Sequence, residues 1–339
     1  MARVTRYMSM MRSLGKLRWE STLPGLAIVN ALKMPAPANR WKDPMDRRCF
    51  VTMTGAAAIA AMAPALGAAQ APARRARFRT GLVAYSYRQA LQSKAMKYED
   101  LINVAVDTGT DGIDLTVYWL PSTDAGYLRS LRHLAYRNRV EIYSIGTRVQ
   151  LAQPTADLRE KQLADLRQWV EVAERVGATH IRVFGGQKPA GATLEQAIGF
   201  AAETLKQGAE IAGANGVLLG IEDDGGITDF AKETIEIVSR AGSPYAGMNL
   251  DTGNFRPPKV YDQIEVSIPH AVSTHIKTEV ANDDGKTRSP ADWDRIFTMF
   301  AAQGFRGYMG LEYEAAADAE TAIPGQLRRL RDMANKYSA

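Results

Sequence analysis

The chain has 339 residues, 46% hydrophobic and 23% charged, with 28 Gly and 15 Pro, which is the composition of a globular protein and excludes a disordered or fibrous one. A single cysteine, Cys49, excludes a disulfide framework within the chain and any Cys-rich zinc or iron–sulfur site. Four histidines (His133, His180, His270 and His275) exclude a multinuclear centre built on five or more imidazoles.

The formal charge of +5 is unevenly spread. Residues 1–71 carry 10 Lys/Arg against 3 Asp/Glu, and the rest of the chain carries 32 against 34. A surface that neutralises phosphates needs a concentrated basic patch, so nucleic acid is discounted as a partner.

Residues 1–44 lack sustained periodicity and mix basic residues with Pro35, Pro37 and Pro44; they read as an upstream extension or disordered leader, with Met45 as an alternative start. From Met45 a short charged start, the pair Arg47-Arg48, Phe50 and a mild Ala-rich apolar run lead to Ala69-Gln70-Ala71. The layout is that of a signal peptide over 45–71, and its paired arginines resemble the twin-arginine export motif. A buried Ala-rich helix is the competing reading, disfavoured by the basic pair ahead of the run. The expectation is cleavage after Ala71, a periplasmic or secreted domain over 72–339 without cysteine, and no stable membrane anchor after cleavage.

From Phe78 onward, short β-branched runs alternate with longer amphipathic stretches. Strands are expected at 80–86, 112–116, 140–145, 180–184, 217–222, 247–251, 272–276 and 308–312. Between them, Thr155–Val176 places Leu158, Leu163, Leu166, Val170, Ala173 and Val176 at three-to-five-residue steps. Glu195–Asn215 does the same with Ala197, Ile198, Ala201, Leu205 and Ala209, and Asn215-Gly216 supplies a stop. Eight β/α alternations without a linker, and without a Gly-rich phosphate turn near the start, predict a single (β/α)₈ barrel rather than an open doubly wound sheet.

In such a barrel the C-terminal strand ends converge on one mouth. Four successive strands end in Glu222, Asp251, His275 and Glu312. Three carboxylates and one imidazole form an oxygen-rich set suited to one divalent ion, manganese foremost, with magnesium, cobalt and zinc also acceptable. Gly220, Asn249, Ser273 and Gly310 share the parity of these ligands, so the inward positions beneath them are small or polar, which is expected to leave room under a metal. Any one of the four could instead be a surface or capping residue; it is their coincidence on consecutive strands that points to a site.

Ile221-Glu222-Asp223-Asp224-Gly225-Gly226, Asn249-Leu250-Asp251-Thr252-Gly253-Asn254, His275-Ile276-Lys277 and Leu311-Glu312 resemble successive motifs of the sugar phosphate isomerase/epimerase family, whose members are xylose-isomerase-like TIM barrels. Ile181–Gly186 and Gly112–Leu115 match its style, so the resemblance covers roughly residues 78–338. It implies that Glu222, Asp251, His275 and Glu312 hold one divalent metal, and that Glu222 and Glu312 double as the acid/base pair. There are departures. Asp224 stands where many members carry His, Asn254 where ketose 3-epimerases carry His, and Ala281 where those epimerases carry an arginine; Asp224 and Asn254 are candidate substrate contacts. Lys277 is the candidate substitute contact to a sugar oxygen.

Arg182 reads equally as a substrate contact or a structural ion-pair partner. Tyr85, Tyr87 and Trp119 read as sugar-stacking rings or as ordinary packing. His133, His180 and His270 are not expected to be ligands.

The expected chemistry is removal of a proton from carbon beside a carbonyl, with metal-stabilised charge on the oxygens, by one glutamate, and its return by the other. This is sugar isomerisation or epimerisation, and export argues for a non-phosphorylated keto-sugar. A lyase or hydratase acting on keto-glycosides and a non-catalytic sugar-binding barrel are the alternatives. Apurinic endonucleases share the fold but need a His-rich trinuclear zinc site. A homo-oligomer is left open.

Overall fold

Parallel neighbours in a sheet need a crossover that returns the chain to the same end, and the amphipathic stretches supply it as helices. The computed structural model describes residues 75–338. Eight strands, β1 (Arg77–Val83), β2 (Gly112–Thr116), β3 (Glu141–Gln150), β4 (His180–Phe184), β5 (Leu218–Glu222), β6 (Ala246–Asp251), β7 (Ala271–Ile276) and β10 (Arg306–Leu311), pair in parallel and close on themselves through β1 and β10. This is the predicted (β/α)₈ barrel. A short antiparallel pair, β8 (Glu279–Ala281) and β9 (Arg288–Pro290), decorates the loop after β7 and is not among the expected strands. The extension expected over 1–44 and the leader expected over 45–71 lie outside the described residues. Among the described residues no helix is long and apolar enough to cross a membrane.

The outer helices, which begin with α1 (Arg88–Ser93), α2 (Tyr98–Thr108) and α3 (Ala125–Arg137), follow from local signals. In α4 (Ala156–Val176) the Thr155 side chain accepts from the Leu158 amide, and Leu163, Leu166, Val170, Ala173 and Val176 are buried. Leu158, expected on the same face, is 38% exposed. A five-residue step turns about 140° around a helix of about 100° per residue, so Leu158 leaves the stripe that Leu163 begins. In α5 (Leu194–Gly213) a capping box of Thr193 and Gln196 starts the helix, and Ala197, Ile198, Ala201, Leu205 and Ala209 are all buried.

Most strand limits fall within two residues of expectation, and two strands depart further. β1 ends at Val83 and turns into a 3₁₀ segment, Ala84–Tyr87, so Tyr85 sits on a turn at the mouth instead of a strand. β3 continues to Gln150, with an irregularity in its pairing with β4 after Gly146.

The small inward residues do not leave the expected space. A methyl group on Gly220 would lie 2.3 Å from His180 Nε2, and one on Gly310 would lie 2.5 Å from the Tyr143 hydroxyl. Tyr143 itself stacks on Tyr308 with centroids 3.8 Å apart. The barrel interior is close-packed, so side chains from β3 and β4 fill what the glycines of β5 and β10 vacate.

Candidate metal centre at the barrel mouth

Strand register brings the four predicted ligands together. Asp251 is the direct neighbour of His275 across β6 and β7, and His275 of Gly310 across β7 and β10, so Glu312 follows one pleat on. One ligand atom from each of Glu222, Asp251, His275 and Glu312 lies within 4.8 Å of the others, and all four residues are buried. The imidazole presents Nδ1, which stands 2.6 Å from Glu222 Oε1, 3.6 Å from Glu312 Oε2 and 3.9 Å from Asp251 Oδ2.

Each ligand is oriented by a second group. Asn249 Nδ2 donates to Glu222 Oε1 at 3.0 Å, and Arg182 Nε pairs with Glu222 Oε2 at 3.2 Å. The Gly253 amide donates to Asp251 Oδ1 at 2.8 Å, which turns Oδ2 inward. His275 Nε2 faces Asp114 Oδ2 at 3.5 Å. Lys277 Nζ lies 2.7 Å from Glu312 Oε2 and also pairs with Asp251 and Glu314.

The donor set fits a divalent cation. Asp251 Oδ2 and His275 Nδ1 are buried and make no well-aligned hydrogen bond; each faces charged groups, Lys277 Nζ at 3.4 Å and Glu222 Oε1 at 2.6 Å, and leaves a lone pair that an ion between them would use. Three anionic carboxylates and a neutral imidazole are ligands of a hard or borderline dication.

The electrostatics agree. For His275, burial alone would favour the neutral ring, but the Glu312 and Glu222 carboxylates outweigh it and raise its pKa well above the ordinary value. Burial, with the Glu312 and Glu222 charges, also pushes Asp251 well up, against the pull of Lys277. Burial opposes ionisation of Glu312, yet Lys277 and His275 hold it well below the usual range. With all three ligand carboxylates ionised the cluster holds more negative charge than Arg182 and Lys277 balance; protons on His275 and Asp251 relieve that excess, and a dication would take their place.

Above the cluster is a cavity of about 110 Å³ lined by Tyr85, Tyr118, Arg182, Phe184, Glu222, Asp224, Asn254, Lys277, Glu312 and Glu314. Of the sequence candidates, Arg182, Asp224, Asn254, Lys277 and Tyr85 reach it. Arg182 is both an ion-pair partner and part of the wall; its Nη1 also donates to the Tyr118 hydroxyl at 3.1 Å. Burial, followed by the Glu222 charge, pushes the Asp224 carboxyl up to about 6. Trp119 does not line the cavity. It stacks behind Tyr85 at 6.0 Å, because the chain leaves β2 in a tight turn that puts Tyr118 at the rim and Trp119 outside it. Tyr87 is buried away from the cavity.

Four contributors are not singled out by the sequence patterns above. Asp114 carries a signal, a carboxylate inside the apolar strand Ile113-Asp114-Leu115, and so does Glu314, which shares the alternation of Glu312. Tyr118 and Phe184 carry no distinguishing signal.

The family model described as xylose isomerase-like TIM barrel matches residues 102–333, and the chain belongs to that family. Among solved structures, the chain is similar to D-psicose 3-epimerase from Clostridium cellulolyticum H10, determined with D-tagatose (15% identity, 76% of this chain and 99% of that one, TM-score 0.63). It is also similar to 3-keto-D-glucoside 4-epimerase from E. coli (13%, 76% and 100%, TM-score 0.59) and to the IolI protein with a bound zinc atom (16%, 77% and 99%, TM-score 0.64). At these identities the likeness establishes the fold. Comparison with curated proteins gives no match.

Proposed function

We propose that the protein is a metal-dependent sugar isomerase or epimerase that moves a proton at a carbon beside a carbonyl, acting on a non-phosphorylated keto-sugar. The observation that carries this reading is that Glu222 and Glu312, from opposite sides of β6 and β7, both reach the ligand cluster and line the same cavity, each beside its own cation.

Glu222, Asp251, His275 and Glu312 would hold the ion, manganese being the proposed occupant, and when bound it supplies a Lewis acid for the carbonyl oxygen. The chain's residues do the rest. Arg182 pairs with Glu222 and Lys277 with Glu312; one of the two glutamates, as the carboxylate, accepts the proton from carbon, and the other, protonated, returns one from the opposite face. Return to the same carbon inverts it; return to its neighbour exchanges aldose and ketose. Asp224, Asn254 and Lys277 offer hydrogen bonds to hydroxyls, and the Tyr85 and Tyr118 rings offer faces for the sugar.

A keto-glycoside substrate, with epimerisation or loss of a β-substituent, is the second reading; an enzyme named for a 3-keto-D-glucoside is built on the same barrel. The proposed twin-arginine export would place this activity in the periplasm or outside the cell, where unphosphorylated sugars occur.

The test is proton exchange in D₂O, followed by NMR, with manganese-loaded protein and two ketones, D-fructose and methyl 3-keto-β-glucoside. Deuterium at the carbon beside the carbonyl is the expected result. Tight binding of either sugar with no exchange would favour a binding barrel instead.

A further inference from the structure

The cavity above the ligand cluster is about 110 Å³, below the roughly 300–1,000 Å³ of ordinary small-molecule sites. Beside it opens a second cleft of about 580 Å³, within that range. The two share a wall. Glu314 lines both, and the loops that bring Tyr85 and Glu312 to the inner cavity continue as the sides of the outer one, over 86–95 and 313–320.

The shared wall is held firmly. Ser86 Oγ donates to the Leu311 carbonyl at 3.1 Å and accepts from the Tyr313 amide at 2.9 Å, and Arg88 donates to the Tyr313 carbonyl at 3.1 Å. These bonds tie the β1 loop to the β10 loop at the junction of the two spaces. A ligand that bridges them meets Glu314 and, through it, Lys277 at the reacting end.

The chemistry of the cleft limits its occupant. Among the described residues, Glu314, Asp318 and Glu320 line it against a single cation, Arg88, so a phosphate or uronate would meet net repulsion. The three carboxylates are acceptors for sugar hydroxyls.

We propose that this cleft is a second subsite that takes a neutral sugar unit linked to the reacting ring, so that the substrate class is a keto-glycoside of at least two sugar units. The identity of the reacting ring rests on the functional reading above; the second subsite rests on the cleft.

Two substitutions on the exposed outer wall, Ala316→Trp and Ser93→Trp, fill the cleft without reaching the inner cavity. Binding of cellobiose, maltose and sucrose to the manganese-loaded full chain is read by saturation-transfer NMR, with glucose as the monosaccharide reference and circular dichroism as the check on folding. At least one disaccharide should bind tenfold or more tighter than glucose, and each tryptophan should erase that advantage. Exchange of methyl 3-keto-β-glucoside should move less than twofold. No disaccharide advantage in the wild type, or an advantage that survives both tryptophans, overturns the subsite even if ketones exchange. Disaccharide binding that both tryptophans abolish, with no exchange of any ketone, supports the subsite and sinks the isomerase reading instead.

Discussion

The contact between Asp114 and His275 gives the sharpest test of the metal centre. Both side chains are buried, and Asp114 Oδ2 faces His275 Nε2 at 3.5 Å. A proton on Nε2 directed at this carboxylate leaves the Nδ1 lone pair facing Glu222, Asp251 and Glu312. Asp114→Asn preserves shape but lets an amide N–H face Nε2, which favours the tautomer with its proton on Nδ1, where the ion should bind. Loss of such an orienting partner typically lowers metal affinity by about 10–100-fold, or about 1.4–2.7 kcal/mol. The assay is manganese titration of chelator-stripped protein against a competing metal indicator. Wild type should saturate at one ion per chain, and the variant should reach the same stoichiometry at about 10–100-fold higher free metal. An affinity within twofold of wild type would show that Asp114 does not set the tautomer. A wild type that takes up no ion would refute the centre altogether.

Glu222→Gln and Glu312→Gln should each lower turnover on the order of a hundredfold or more. The variant missing the proton-abstracting group should also lose solvent exchange at carbon, whereas the other can retain exchange without product; wild-type rates in both would remove the two-carboxylate mechanism. Burial lowers the His180 pKa from 6.5 to about 4, so between these values the unfolded chain takes up a proton that the folded protein refuses, and stability falls as pH drops. At about 1.36 kcal/mol per pH unit, wild type should lose about 3 kcal/mol of unfolding free energy across that window relative to His180→Gln, and denaturant titrations that run parallel from pH 7 to pH 4 would contradict this. Replacing Arg47 and Arg48 together by Lys keeps the charge and should block export, while intact mass should place the mature start near Pro72; normal export of the Lys–Lys form would eliminate the twin-arginine assignment.

Most of what depends on near neighbours along the chain can be read from the sequence by itself, although the exposed Leu158 and the local β8–β9 pair escape it. Alternation along a strand and the 3.6-residue repeat of a helix act within a few residues, so the eight β/α units and the buried stripe of α5 are legible in the order of residues alone. The same locality makes Glu222, Asp251, His275 and Glu312 readable as a set, because each sits within one residue of the end of its own strand and parallel pairing aligns strand ends. Tertiary structure alone decided what meets across the barrel. Whether Arg182 faces inward depends on the register of β4 against β5, where it pairs with Gly220 and can reach Glu222. Asp114 and His275 are 161 residues apart and touch only because the ring closes. The glycines at 220 and 310 mark small side chains, but nothing near them in sequence tells that His180 and Tyr143 occupy the space they leave. Periodicity fixes the face of each element, and closure of eight such faces on a common axis selects which side chains share the interior.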